Sequence, residues 1–140
     1  MLQWRADVKA RMVGDPAMQT ASLVSIVDDD ESVRESLPDL VRQLGFAARA
    51  FASADAFLTS DVIDATRCLI LDIKMPGMSG PELQRELSNR AQDIPTIFIT
   101  ASADKTLHPR LLAEGAVAVL FKPFSDAALL DALNVAFGRT

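Results

Sequence analysis

Four short apolar runs punctuate this chain, and each one ends on a polar side chain. Leu23–Val27 runs into Asp28-Asp29-Asp30, Cys68–Leu71 into Asp72, Thr96–Ile99 into Thr100, and Val117–Phe121 into Lys122-Pro123. Such near-continuous runs suit strands of a parallel sheet, whose crossover helices cover both faces. One more short strand fits near Phe46–Phe51. The stretches between the runs carry a helical period. Val33, Leu37, Leu40, Val41 and Leu44 share one face of a first helix that stops at Gly45. Ser53–Leu58 reads as a second helix capped by Ser53, and Pro81 opens a third at a favoured first-turn position. A fourth ends at Gly115, and Asp126–Phe137 is the fifth. Two prolines modify this pattern. Pro38 lies inside the first helix and should kink it. Pro109 lacks an N–H and is tolerated only in a first turn, so the fourth helix should start late, with Thr106 as its cap. Strands alternating with helices in this way predict an α/β domain with a doubly wound parallel sheet.

Sheets of this kind gather ligands outside the carboxyl ends of their strands. With the four runs side by side, Asp28, Asp29, Asp72, Thr100 and Lys122 converge on one crevice. Two like charges about 4 Å apart repel by roughly 1 kcal/mol in water and about 4 kcal/mol at an effective dielectric of 20. Three carboxylates together therefore require a cation, or one of them must hold a proton. A hard divalent ion with oxygen ligands suits the crevice, and Mg²⁺ is the expected one. Aspartates after strands also cap helices, which is the plainer reading of each acid alone. Capping does not explain a Thr and a Lys at the ends of two further strands. Asp30 is the exception, and reads as the N-cap of the first helix.

Composition narrows the class. One domain is expected for 140 residues, and 49% hydrophobic content supplies a sizeable core. A net charge of −5 argues against direct contact with nucleic acid, which calls for a basic face. No stretch is long and apolar enough for a membrane span, and Arg5, Asp7, Lys9 and Arg11 interrupt any secretory apolar region. A cytoplasmic setting is expected. The single cysteine, Cys68, lies in an apolar run and reads as a small buried hydrophobe. Residues 1–20 are mixed in charge, broken by Gly14-Asp15-Pro16, and read as a poorly ordered tail ahead of a domain spanning 21–140. His108, just before Pro109, is expected to be an exposed helix-start residue, and Gly77 and Gly80 to serve the turn after the third strand.

Four segments taken in order resemble the receiver domain of bacterial two-component response regulators. They are Ile26-Val27-Asp28-Asp29-Asp30, Leu71-Asp72-Ile73-Lys74-Met75-Pro76-Gly77-Met78-Ser79-Gly80, Ile99-Thr100-Ala101 and Phe121-Lys122-Pro123-Phe124. Ser53-Ala54-Asp55-Ala56-Phe57-Leu58 and Gly115-Ala116-Val117 look most like the receivers of nitrogen-fixation-type regulators that carry a LuxR-type DNA-binding domain. The resemblance implies a flavodoxin-like (βα)5 fold with strand order 2-1-3-4-5. It implies Asp72 as phosphoacceptor, taking a phosphoryl group from a sensor histidine kinase or a histidine phosphotransfer protein. It implies Mg²⁺ held by Asp29, Asp72 and the backbone carbonyl of Lys74, with Asp28 acting through water. Lys122 and Thr100 would engage phosphoryl oxygens together with the Ala101 backbone, and Lys122-Pro123 would be a cis peptide. The side chains of Lys74 and Ser102 occupy positions that tune phosphoryl lifetime in this family, against the plainer reading of a solvated Lys74. The output face would be helix four, strand five and helix five, open to a homodimer or a downstream partner. A DNA-binding domain missing from this chain is a further possible output.

One departure concerns the switch. Val119 stands three residues before Lys122, where many receivers carry Tyr or Phe. Valine cannot give the same rotamer signal, so coupling is expected through backbone movement of the loop after strand four. Two other readings remain at this point. Asp28-x-Asp30 after a strand also fits a phosphohydrolase of the haloacid dehalogenase type with Asp28 as nucleophile, although the chain is short for it and lacks the late paired acids. The other is a receiver-like interaction domain that phosphorylation does not regulate.

Overall fold

The computed structural model describes residues 22–101 and 106–138. The expected tail and Ser102 lie outside the described residues. The elements run β1 (Leu23–Val27), α1 (Glu31–Gln43), β2 (Ala47–Phe51), α2 (Ala54–Leu58), β3 (Cys68–Asp72), α3 (Gly80–Asn89), β4 (Thr96–Thr100), α4 (Leu107–Ala113), β5 (Ala118–Phe121) and α5 (Asp126–Ala136). All strand pairs are parallel, and the sheet order is β2-β1-β3-β4-β5, the expected one.

Alternating side chains of the central strands divide the core in two. Val27, Leu69, Leu71 and Phe98 pack with Phe57, Leu83, Leu87 and Leu111 from α2, α3 and α4. Val24, Ile26, Ile70, Ile97 and Ile99 pack with Leu37 and Val41 of α1 and Leu129 and Leu133 of α5. β1, β3 and β4 are buried at every position, as strands covered on both faces must be. Ser25 is the polar exception in β1, and its hydroxyl meets that of Thr66 at 2.7 Å inside the core.

Local chemistry sets the helix ends. Asp30 caps α1, its Oδ1 accepting from the Ser32 N–H at 2.9 Å, and Gly45 follows the helix at φ +102, a conformation costly for other residues. Ser53 caps α2 and Ser125 caps α5. Ser79 and Glu82 form a reciprocal capping box on α3, with proline in its first turn. α1 runs on through the buried Pro38. α4 starts late, with Pro109 in its first turn, but Thr106 occupies the N-cap position without a side-chain cap hydrogen bond.

Candidate functional site

Strand register brings the polar run-ends to one edge. Val27 pairs with Leu71, Asp72 with Ile99, and Thr100 with Phe121. The Lys122 N–H then donates to the Thr100 carbonyl at 2.8 Å, so the last backbone bond between these two chains lies beside the crevice. The Lys122-Pro123 peptide is cis.

Asp28, Asp29 and Asp72 each place one oxygen within 4.8 Å of the others. Asp28 is fully buried, Asp72 is buried, and Asp29 is exposed. Lys122 donates to Asp28 Oδ2 at 2.9 Å and stands 3.9 Å from Asp72 Oδ1. Asp28 Oδ1 accepts from the Asp30 N–H at 2.9 Å. The Asp28 N–H donates to the Phe51 carbonyl at 3.1 Å, and the Asp28 carbonyl accepts from Arg34 Nη1 at 3.0 Å. Asp28 is thus held at its backbone and at both carboxylate oxygens.

Charge is crowded here, and Asp72 bears the strain. Burial pushes its carboxyl up to about 7, reinforced by the Asp28 charge, by a hydrogen bond shared with Asp28 and by Asp29, and opposed by Lys122. Burial alone would lower Lys122, but its hydrogen bond to Asp28 and the charges of Asp72, Asp28 and Asp30 hold it above the usual lysine range. Asp72 is thus the carboxylate that burial and its acidic neighbours push towards holding a proton. Three converging carboxylate oxygens with solvent access at Asp29 are a donor set suited to a hard divalent cation that keeps waters.

The remaining expected site residues fall as follows. Thr100 is buried at the end of β4, Ala101 is exposed just beyond it, and Lys74 is exposed two residues after Asp72. Val119 is buried among the side chains on the α4 side of the sheet. His108 differs from expectation: it is half-buried, with its ring 5.6 Å from that of Phe121. Gly80 closes the turn after β3, as expected, and does so at a very close approach. A Cβ there would run into the Asp72 carbonyl oxygen and lie 3.1 Å from Ile73 Cα. The Gly80 N–H donates to the Ile73 carbonyl at 2.9 Å, so α3 closes directly onto the strand end that carries Asp72.

Two contacts escaped the sequence reading. Lys122 pairs with Asp28 rather than standing free, a contact across 94 positions that only the topology creates. Arg34 grips the Asp28 carbonyl; its one visible signal was being the first basic residue of α1.

The family model of the response regulator receiver domain matches residues 24–134. The chain belongs to that family. This receiver is 43% identical over 126 residues to nodulation protein W of Bradyrhizobium diazoefficiens, covering 90% of this chain and 56% of that protein. It is 39% identical to the transcriptional regulatory protein FixJ of Azorhizobium caulinodans, over 84% of this chain and 56% of the relative. Among solved structures, the response regulator StyR superposes with a TM-score of 0.76 at 44% identity, covering 83% of this chain and 59% of that one. FixJ-N superposes at 0.74 and 38% identity, covering 84% and 94%. The receiver spans about half the length of the curated relatives it matches. It is a two-component signalling domain of the nitrogen-fixation-regulator type rather than a metabolic enzyme. Among the described residues no helix is long and apolar enough to cross a membrane.

Proposed function

We propose that this receiver accepts a phosphoryl group on Asp72 from a phosphohistidine of a sensor kinase or histidine phosphotransfer protein, and so switches the surface of α4, β5 and α5. The observation that carries this reading is the convergence of Asp28, Asp29 and Asp72 within 4.8 Å, with the Lys122 ammonium among them. Phosphoryl transfer asks a protein for position and charge neutralisation more than for covalent help. An Asp72 oxygen forms a bond to phosphorus as the P–N bond to the donor imidazole breaks. The electron pair leaves with the imidazole nitrogen, which then takes up a proton. Thr100, Lys122 and the Ala101 backbone hold phosphoryl oxygens. Asp29, Asp72 and the Lys74 carbonyl would hold Mg²⁺, and Asp28 would act through water. When bound, the ion supplies the positive charge that lets the carboxylates and phosphoryl oxygens share one crevice. Lys74 and Ser102 tune the lifetime of the acyl phosphate. Asp28, enclosed and bonded to Lys122, is poorly placed as a nucleophile beside Asp72.

The output passes to a second copy, to a partner, or to a DNA-binding domain beyond this chain, within the cytoplasm. We also read 21–140 as the folding unit and 1–20 as an appendage to it. Intact mass after incubation with acetyl phosphate and Mg²⁺ tests the central step. A gain of one phosphoryl group in the wild type and none in Asp72→Asn is expected; an equal gain in the variant refutes the assignment.

A further inference from the structure

We propose that Arg34 is the positioning residue of the acidic crevice: it braces the Asp28–Asp30 turn so that Asp28 and Asp29 present their oxygens to a divalent cation. The inference rests on the receiver reading above and adds a residue to it. The turn between β1 and α1 is only three residues long, and all three are aspartates. Their mutual repulsion favours splaying the turn open. Arg34 reaches back across it: its Nη1 donates to the Asp28 carbonyl at 3.0 Å, while its backbone N–H makes the ordinary first-turn helical bond to the Asp30 carbonyl at 3.1 Å. Glu31 and Glu35 flank it on the same helix, yet no ion pair joins it to either among the described residues. The guanidinium is spent instead on a backbone oxygen beside the crevice, where it is half-buried. Holding the Asp28 backbone also aims the Asp28 carboxylate at its two donors, the Asp30 N–H and Lys122. A group that orients ligands from one bond away typically changes metal affinity about 10-fold or more when removed.

The sign of the effect separates this role from simple charge. Arg34 is a cation near a cation site. If it acted only through charge, its removal would tighten Mg²⁺ binding. If it braces the turn, removal loosens binding in spite of the charge. The experiment is calorimetric titration of Mg²⁺ into the wild type, Arg34→Gln and Arg34→Lys, with the metal-free amide spectrum of each recorded alongside. Arg34→Gln is expected to weaken binding roughly 10-fold and to shift the Asp30 amide resonance, which reports its bond to Asp28 Oδ1 in the absence of metal. Arg34→Lys, which keeps a donor and its charge, is expected to recover part of the affinity and guards against a loss due to misfolding. Unchanged or tighter binding in a folded Arg34→Gln overturns the proposal. If the wild type itself binds no Mg²⁺, the receiver-site reading fails and this proposal falls with it, whereas normal wild-type binding with unchanged affinity in Arg34→Gln counts against Arg34 alone.

Discussion

Replacing Asp72 by Asn should stabilise the metal-free protein at alkaline pH and hardly at all under acid. In the unfolded chain this carboxyl titrates at about 3.8, while the folded crevice raises it to about 7. Between those values the folded state binds a proton that the unfolded state has lost, so stability falls as pH rises through the window. Above about pH 7 the folded protein carries the full penalty of a third carboxylate beside Asp28 and Asp29. One pKa unit corresponds to about 1.4 kcal/mol, so three units would reach about 4 kcal/mol. The crevice opens to water at Asp29 and at Lys122, and screening reduces that to roughly 2 kcal/mol. Asparagine keeps the shape and discards the charge.

The assay is urea denaturation of both proteins in a chelator at pH 5 and pH 8. At pH 8 the variant should be more stable by about 2 kcal/mol, and at pH 5 the advantage should shrink to less than half of that. Mg²⁺ should then raise wild-type stability more than that of the variant, because it neutralises the charge that Asn has already removed. A variant no more stable than wild type at pH 8 would refute the reasoning. So would an advantage of the same size at both pH values, since it would owe nothing to a titrating carboxylate.

Gly80→Ala should cost about 1–3 kcal/mol, measured by the same denaturation, because the new methyl meets the backbone of Asp72 and Ile73 rather than a side chain that can move. Lys122→Met should destabilise by roughly 2–3 kcal/mol by leaving the buried Asp28 carboxylate without its cation. Because Lys122 titrates above 10.5 when folded, that difference should persist from pH 6 to pH 9 and fade only at more alkaline pH. Phe121→Ala removes the ring lying against His108 of α4; amide shifts induced by beryllofluoride should then stop short of α4, whereas in the wild type they should reach it.

Much of this architecture was legible because apolar runs and strand ends coincide. Leu23–Val27 and the onset of Thr96–Thr100 could be read from pattern alone, since strands buried on both faces are almost continuously apolar and carry no charge until they end. The caps at Asp30, Ser53 and Ser125 follow from side chains acting within three residues of themselves. β5 begins one residue later than its apolar run, although the Val117 N–H already donates to the Thr96 carbonyl at 2.8 Å. What pattern could not show is where long side chains end up. Lys122 and Arg34 have reach enough for several acceptors, and only the assembled turn selects Asp28. His108 reads as exposed from its place before Pro109 at a helix start; Phe121 of β5 meets it only in the fold. The close approach at Gly80 was hidden because its neighbour, the Asp72 carbonyl, is eight positions away.

The placement of Lys122 also says how a phosphoryl group would be felt beyond the crevice. With all three carboxylates ionised, one ammonium leaves the site with an excess of two negative charges, and that ammonium is already committed. It makes its short contact with Asp28, at 2.9 Å, and only a long one with Asp72, at 3.9 Å. Under the proposed function a phosphoryl group on Asp72 brings about −1.5 to −2 charges and strong acceptor oxygens to the weaker side of that balance. Lys122 would then be drawn from Asp28 towards Asp72. Its backbone is tied to its neighbours, because its N–H is bonded to the Thr100 carbonyl and the ring of the preceding Phe121 lies against His108. The pull on one ammonium is therefore shared between the end of β4 and the first turn of α4. Under the proposed function that path needs no aromatic side chain at position 119, so Val119 does not bar it.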